Sequence, residues 1–183
     1  MFNVVTGDGV PVGDTLVRHP DVGIVSLTGD TATGKLIAAN SAETLKRVHL
    51  ELGGKAPFIV FDDADMEQVV EWIKIGGYFN SGQDCTASSR ILVSKGVYDD
   101  VLSETVKAVE GMSVGDPSTD DEIEMGPVIS QEQQERVLGF LDRAKGARVL
   151  TGGGTNGKNS PTASAVKSDL SEALAVIQTN HID

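Results

Sequence analysis

Apolar positions along the chain fall into short runs separated by clusters of Gly, Pro, Asp and Asn, and the runs are of two kinds. Residues 22–27, 56–61, 90–93 and 147–150 are brief and rich in Val, Ile, Leu and Phe, too short for helices and bounded by turn residues, so they predict strands. Residues 2–5 read as a further short extended segment. Between them the spacing turns helical. Residues 33–47 place Leu36, Ile37, Asn40 and Thr44 on neighbouring turns. Asp65 is an N-cap for a helix carrying Val69, Val70, Ile73 and Gly77. Residues 98–109 form another helix, and Ser130 caps one over 131–145. Residues 169–178 read as a short amphipathic helix with Leu170, Ala173, Leu174 and Ile177 on one face. Strand and helix alternate, which predicts an α/β protein with βα units and a largely parallel sheet.

Two motifs interrupt this pattern with chemistry. Cys85, the single cysteine, lies in Gly82-Gln83-Asp84-Cys85-Thr86-Ala87, and Glu51 lies upstream in Glu51-Leu52-Gly53-Gly54-Lys55. A lone cysteine is often just a small buried apolar residue, but glycine and polar neighbours argue against a packed site here. A thiolate attacks carbonyl carbon well, while a free thiol near its reference pKa of about 8.5 needs a base or a favourable field. Gly82 permits close backbone approach, and residues 86–88 are expected to open a helix whose N–H groups favour negative charge at sulfur. Glu51 is the candidate base, acting on the thiol or on water.

A third motif, Gly29-Asp30-Thr31-Ala32-Thr33-Gly34-Lys35, nearly spells a nucleotide-triphosphate P-loop. That motif needs Ser or Thr after its lysine to hold Mg²⁺; Leu36 cannot do so, and the reading fails. A helix N-terminus near Thr31-Ala32 would still suit a dinucleotide pyrophosphate, and a purely structural use of the two glycines stays open beside it.

The Glu51 and Cys85 segments, in this order and spacing, resemble the two signatures of the NAD(P)-dependent aldehyde dehydrogenase superfamily, over residues 1–154. The run from Gly82 to Ala87, with Val48-His49-Leu50 before Glu51, is most similar to the aminobutyraldehyde and betaine-aldehyde branch. The resemblance implies a partial fold of that family. Residues 1–50 would be the C-terminal part of a dinucleotide-binding domain, residues 51–154 the N-terminal part of a catalytic domain, and residues 155–183 a divergent tail. It implies Cys85 as the acylated nucleophile, Glu51 as general base, and oxidation of an aldehyde to an acid. It implies NAD or NADP contacted by Gly29, Asp30, Gly34 and Leu52. Asp30 stands where many relatives carry serine. Trp72, Tyr78 and Phe79 occur at helical spacing and read as ordinary packing, although aromatics from this helix help line the aldehyde tunnel in similar enzymes. The family's oxyanion-hole asparagine and ribose-binding residues have no counterpart here, so a catalytically incompetent fragment acting as a binding module is the alternative. Residues 155–183 lack the family's next aromatic-Gly-Pro segment and read as a foreign terminus or another reading frame.

Composition narrows the setting. A net charge of −12 argues against nucleic acid, since no basic patch exists to displace phosphate counterions. No apolar run approaches the roughly 20 residues that span a bilayer, and no secretory signal opens the chain. One cysteine excludes an internal disulfide and fits a cytoplasmic, reducing compartment. His19, His49 and His181 share no ligand spacing with Cys85, so no metal site is expected; His19 and His49 read as surface or capping residues. The acidic stretch 116–124 reads as a solvated loop. Interrupted sheets expose edges and apolar faces, so self-association is expected.

Overall fold

The computed structural model describes residues 1–144, 147–153, 165–168 and 173–176. Two compact units divide it, residues 1–53 and the chain from residue 54 onward.

In the first unit a short helix α1 (Asp14–Arg18) precedes strand β1 (Ile24–Gly29), helix α2 (Thr31–Ser41) and strand β2 (Arg47–Leu52). The strands pair in parallel, Ile24 opposite Arg47 through Gly29 opposite Leu52. Val25, Leu27, Leu50 and Leu52 are half-buried, whereas Ser26, Thr28, His49 and Glu51 alternate onto the other, open face. Leu52 packs against α2 so closely that a Cβ at Gly34 would come within 2.8 Å of its side chain. Helix α2 is shorter than the predicted 33–47. A single 3₁₀ turn (Ala42–Thr44) follows Ser41, and Leu45 then takes a left-handed conformation (φ 52°), which ends the helix. Arg47 onward is bound as strand to β1. Residues 2–5 form no strand, and their large apolar side chains are exposed.

In the second unit β3 (Ala56–Val60) is followed by α3 (Met66–Tyr78), β4 (Ser88–Val93), α4 (Tyr98–Glu110) and α5 (Gln131–Arg143). Strands β5 (Ala147–Thr151), β6 (Ala165–Ser168) and β7 (Ala173–Val176) follow. The sheet runs β3-β4-β7-β6-β5. Pro57 is tolerated because β3 is an edge strand, where a missing N–H leaves no ladder partner wanting. Asp65 caps α3 by accepting from the N–H groups of Glu67 (3.0 Å) and Gln68 (3.3 Å), a device worth about 1 kcal/mol. Ser130 does the same for α5 through Gln133. On α4 Val101, Thr105 and Val109 recur every fourth residue and are all buried, one stripe facing the core. That core gathers Val60, Ile73, Tyr78, Ile91, Val101 and Met125, with Ile73, Ile91 and Val101 wholly inaccessible to solvent.

Two expectations are corrected. The sheet is mixed: β3 and β4 are parallel, but β4–β7, β7–β6 and β6–β5 are antiparallel. Residues 173–176, expected within a helix over 169–178, are strand β7, because their backbone groups pair on both sides with β4 and β6. The rest of that expected helix lies outside the described residues. Among the described residues no helix is long and apolar enough to cross a membrane.

Candidate active site

The loop that carries Cys85 begins with an unusual backbone. Asn80 (φ 51°), Ser81 (φ 59°) and Gly82 (φ 75°) are three consecutive left-handed residues after α3. Each non-glycine residue there costs roughly 1–2 kcal/mol, so the turn persists only because its surroundings hold it. The holding contacts are visible. Asn80 Nδ2 donates to the Gln83 carbonyl (2.9 Å), and Gln83 Nε2 donates to the Asn80 carbonyl (3.0 Å). The buried Ser81 hydroxyl donates to the Gly126 carbonyl (2.6 Å), and the Ile129 N–H donates to Gln83 Oε1 (3.0 Å). The strained turn is thereby fastened to residues 126–129.

Cys85 sits at the crest of the next turn. Asp84 Oδ1 accepts from both the N–H and the hydroxyl of Thr86 at 2.8 Å, and the Ala87 N–H closes on the Asp84 carbonyl (3.3 Å). This lifts the thiol into solvent: Cys85 is exposed. Among the described residues nothing hydrogen-bonds to its thiol or its N–H. The helix expected at 86–88 is absent, because Ser88 already pairs with Ala56 as the start of β4. No helix N-terminus therefore follows the sulfur.

Glu51 belongs to the first unit, on the open face of β2 opposite Thr28. Its Oε1 lies 3.4 Å from His49 Nε2, and His49 Nδ1 is hydrogen-bonded to Ser26 Oγ at 3.0 Å. His49 is on the surface as expected, but it caps nothing; it stands between Ser26 and Glu51. Period-two alternation along residues 47–52 carried the signal for that row, and a reading of the segment as a turn-bound motif hid it. Beyond Glu51, Lys55 is partly buried, and desolvation pulls its amine below the usual lysine range. Its backbone carbonyl accepts from Arg90 Nε (2.9 Å), tying the end of the motif to β4.

The cofactor candidates divide by role. Asp30 is the N-cap of α2: its Oδ2 accepts from the N–H groups of Ala32 (3.1 Å) and Thr33 (3.3 Å). A carboxylate already occupies two of the donors a pyrophosphate would use. Gly34 is required by its packing on Leu52, and Gly29 keeps ordinary clearance, 3.5 Å from Leu27. The strand–glycine–helix frame fits a dinucleotide; the charge of Asp30 opposes its phosphates. Trp72 on α3 and Phe79 just after it are exposed, whereas Tyr78, the last residue of α3, is buried, and burial raises its hydroxyl far above its ordinary pKa. Among the described residues no group of three or more His, Cys, Asp or Glu is placed to hold a metal ion.

The first unit carries Glu51 on its β1–α2–β2 frame, and the second carries the exposed Cys85 thiol on the loop before β4. The chain belongs to the aldehyde dehydrogenase family, whose model matches residues 1–180. That match continues through residues 155–180, the stretch set apart by motif alone. The chain is 42% identical over 156 residues to betaine aldehyde dehydrogenase of Sinorhizobium fredii, covering 84% of this chain and 32% of that protein. It is 41% identical over 155 residues to a peroxisomal aminoaldehyde dehydrogenase of Pisum sativum, covering 84% and 31%. In three dimensions it is similar to betaine aldehyde dehydrogenase of Staphylococcus aureus solved with NAD⁺, with a TM-score of 0.83 at 37% identity over 88% of this chain and 34% of that one. An NADP-dependent enzyme of E. coli matches with a TM-score of 0.84 at 37% identity, over 90% and 35%. The architecture is thus a partial aldehyde dehydrogenase fold, and the chain spans about a third of the length of the relatives it matches.

Proposed function

We propose that this chain carries the nucleophile and the general base of an NAD- or NADP-dependent aldehyde oxidation. The observation that carries the reading is the exposed Cys85 thiol just after a strained left-handed turn, residues 80–82, which four hydrogen bonds hold in place. Strain of this kind is retained where it serves a site. In this reading residues 1–50 are the end of the dinucleotide-binding domain, residues 51–154 the start of the catalytic domain, and residues 155–183 a divergent tail.

The chemistry divides between two side chains. The Cys85 thiolate adds to the aldehyde carbon, forming a C–S bond and a thiohemiacetal oxyanion toward which the Cys85 N–H can donate. NAD, when bound, supplies the hydride acceptor, and Gly29, Asp30, Gly34 and Leu52 are the residues that would hold it. Loss of hydride leaves an acyl thioester on Cys85. Glu51 then takes a proton from water, whose oxygen attacks the acyl carbon; the C–S bond breaks and the acid departs. An aminobutyraldehyde-like substrate fits the names of the relatives, and a net charge of −12 favours encounter with a cationic aldehyde. The exposed thiol suits a reducing, cytoplasmic setting.

Exposed Phe2, Val10, Leu36, Ile59, Phe61, Trp72, Phe79 and Ile129 support self-association of the isolated chain. Sedimentation velocity is expected to show species heavier than a monomer, and a single monomer boundary would contradict this. The functional reading is tested by NADH formation at saturating NAD and 4-aminobutanal, with Cys85→Ala alongside. Turnover that vanishes in the variant is expected. Absence of turnover from the folded chain would overturn catalysis by this chain and leave a binding fragment.

A further inference from the structure

Three side chains on the open face of the β1–β2 pair form a row that the oxidation scheme does not use in full. Parallel register sets Ser26 directly opposite His49, and strand alternation sets His49 and Glu51 on one face. Ser26 Oγ meets His49 Nδ1 at 3.0 Å, and His49 Nε2 stands 3.4 Å from Glu51 Oε1. Val25, Leu27, Leu50 and Leu52, on the opposite face, supply the half-buried packing of the unit, so burial does not require His49 to be where it is. An imidazole bonded through one nitrogen has its ring plane fixed, and the other nitrogen then has a defined direction.

We propose that His49 is a positioning residue for Glu51: anchored at Nδ1 by Ser26, it presents Nε2–H to the carboxylate and fixes the rotamer of the general base. Glu51 is exposed and, without such a partner, would sample its rotamers freely. Productive activation of water needs one of them. The inference rests on the role proposed above for Glu51, and it predicts which step suffers. Addition of the thiol and hydride loss do not require the Glu51 carboxylate to face the acyl carbon; hydrolysis of the thioester does.

The test has two arms. In the 183-residue chain labelled with ¹⁵N-histidine, the His49 ring signals, assigned with His49→Gln, are expected to show a neutral imidazole protonated at Nε2. That fixed tautomer is expected to be lost in both Ser26→Ala and Glu51→Ala. Identical His49 signals in wild type and both variants would overturn the proposal, with no activity needed to decide it. In the kinetic arm, His49→Ala is expected to slow steady-state turnover by about 10- to 100-fold while the first-turnover burst of NADH and kcat/KM for the aldehyde stay unchanged. His49→Gln, which keeps an N–H donor, is expected to recover part of the loss. Equal losses in burst and steady state would overturn the positioning role in favour of a structural one. A wild-type chain without any turnover would count against the enzymatic reading alone, since the tautomer still reports on the row.

Discussion

At the residue scale, Asp30 shows how one side chain sets fold and binding against each other. Its carboxylate satisfies two orphan N–H groups of α2, and it does so on the spot where a dinucleotide phosphate would rest. Serine is also a good N-cap but carries no charge. Asp30→Ser is therefore expected to tighten NAD binding by about fivefold, the equivalent of roughly 1 kcal/mol of relieved repulsion at a helix N-terminus, while the thermal midpoint stays close to wild type. Isothermal titration with NAD checks this; equal or weaker affinity in the variant would show that no phosphate approaches α2. Gly34 illustrates the same ambiguity. Its position in the motif suggested phosphate, and its contact with Leu52 gives it a packing reason of its own.

Elements reveal where the sequence could be read and where it could not. Helices α3 and α5 were legible because cap and stripe agreed, Asp65 before Val69 and Ile73 and Ser130 before Val137; α4 has no side-chain cap, and its stripe of Val101, Thr105 and Val109 is its only mark. Strand β2 carries a period-two pattern, Val48, Leu50 and Leu52 alternating with Arg47, His49 and Glu51, but the Glu51-Leu52-Gly53-Gly54 run draws the segment into a turn-bound motif and masks it. Strand β7 was misread because Ala and Leu in residues 173–176 satisfy helical spacing equally well, and only pairing with β4 and β6 decides between the two. The left-handed turn at Asn80 and Ser81 had no signal beyond the neighbouring glycine. An ion pair ties α3 to the acidic loop. Lys74 on α3 pairs with Glu124, which also accepts from the Ser113 N–H (3.0 Å). Lys74 first, then Ser113, hold the Glu124 carboxyl below its ordinary value of 4.5. A depressed folded pKa contributes stability above the unfolded value and loses it as pH falls through the folded one. Lys74→Met is therefore expected to lower the urea midpoint at pH 7, with the gap to wild type closing below about pH 4. A gap of the same size at pH 7 and pH 3 would show that the pair does not couple to the fold.

For the whole molecule, the account rests on a division of labour between two units. The first presents Glu51, with Ser26 and His49 beside it, on an open sheet face. The second presents Cys85 on a turn fastened to residues 126–129. Cys85 and Glu51 stood out in the sequence as candidates, because glycine-rich turns around a thiol and a carboxylate are uncommon in packed cores. What their surroundings contribute was not, since the partners of Gln83 and Ser81 lie more than forty residues away in the chain. The central claim is that the Cys85 sulfur is acylated and that Glu51 releases the acid. Intact-protein mass spectrometry of Glu51→Gln, mixed with NAD and 4-aminobutanal, tests it directly. The account predicts an acyl adduct that accumulates on the peptide bearing Cys85 and is absent from the Cys85→Ala, Glu51→Gln double variant. A Glu51→Gln chain that turns over with no adduct would contradict it.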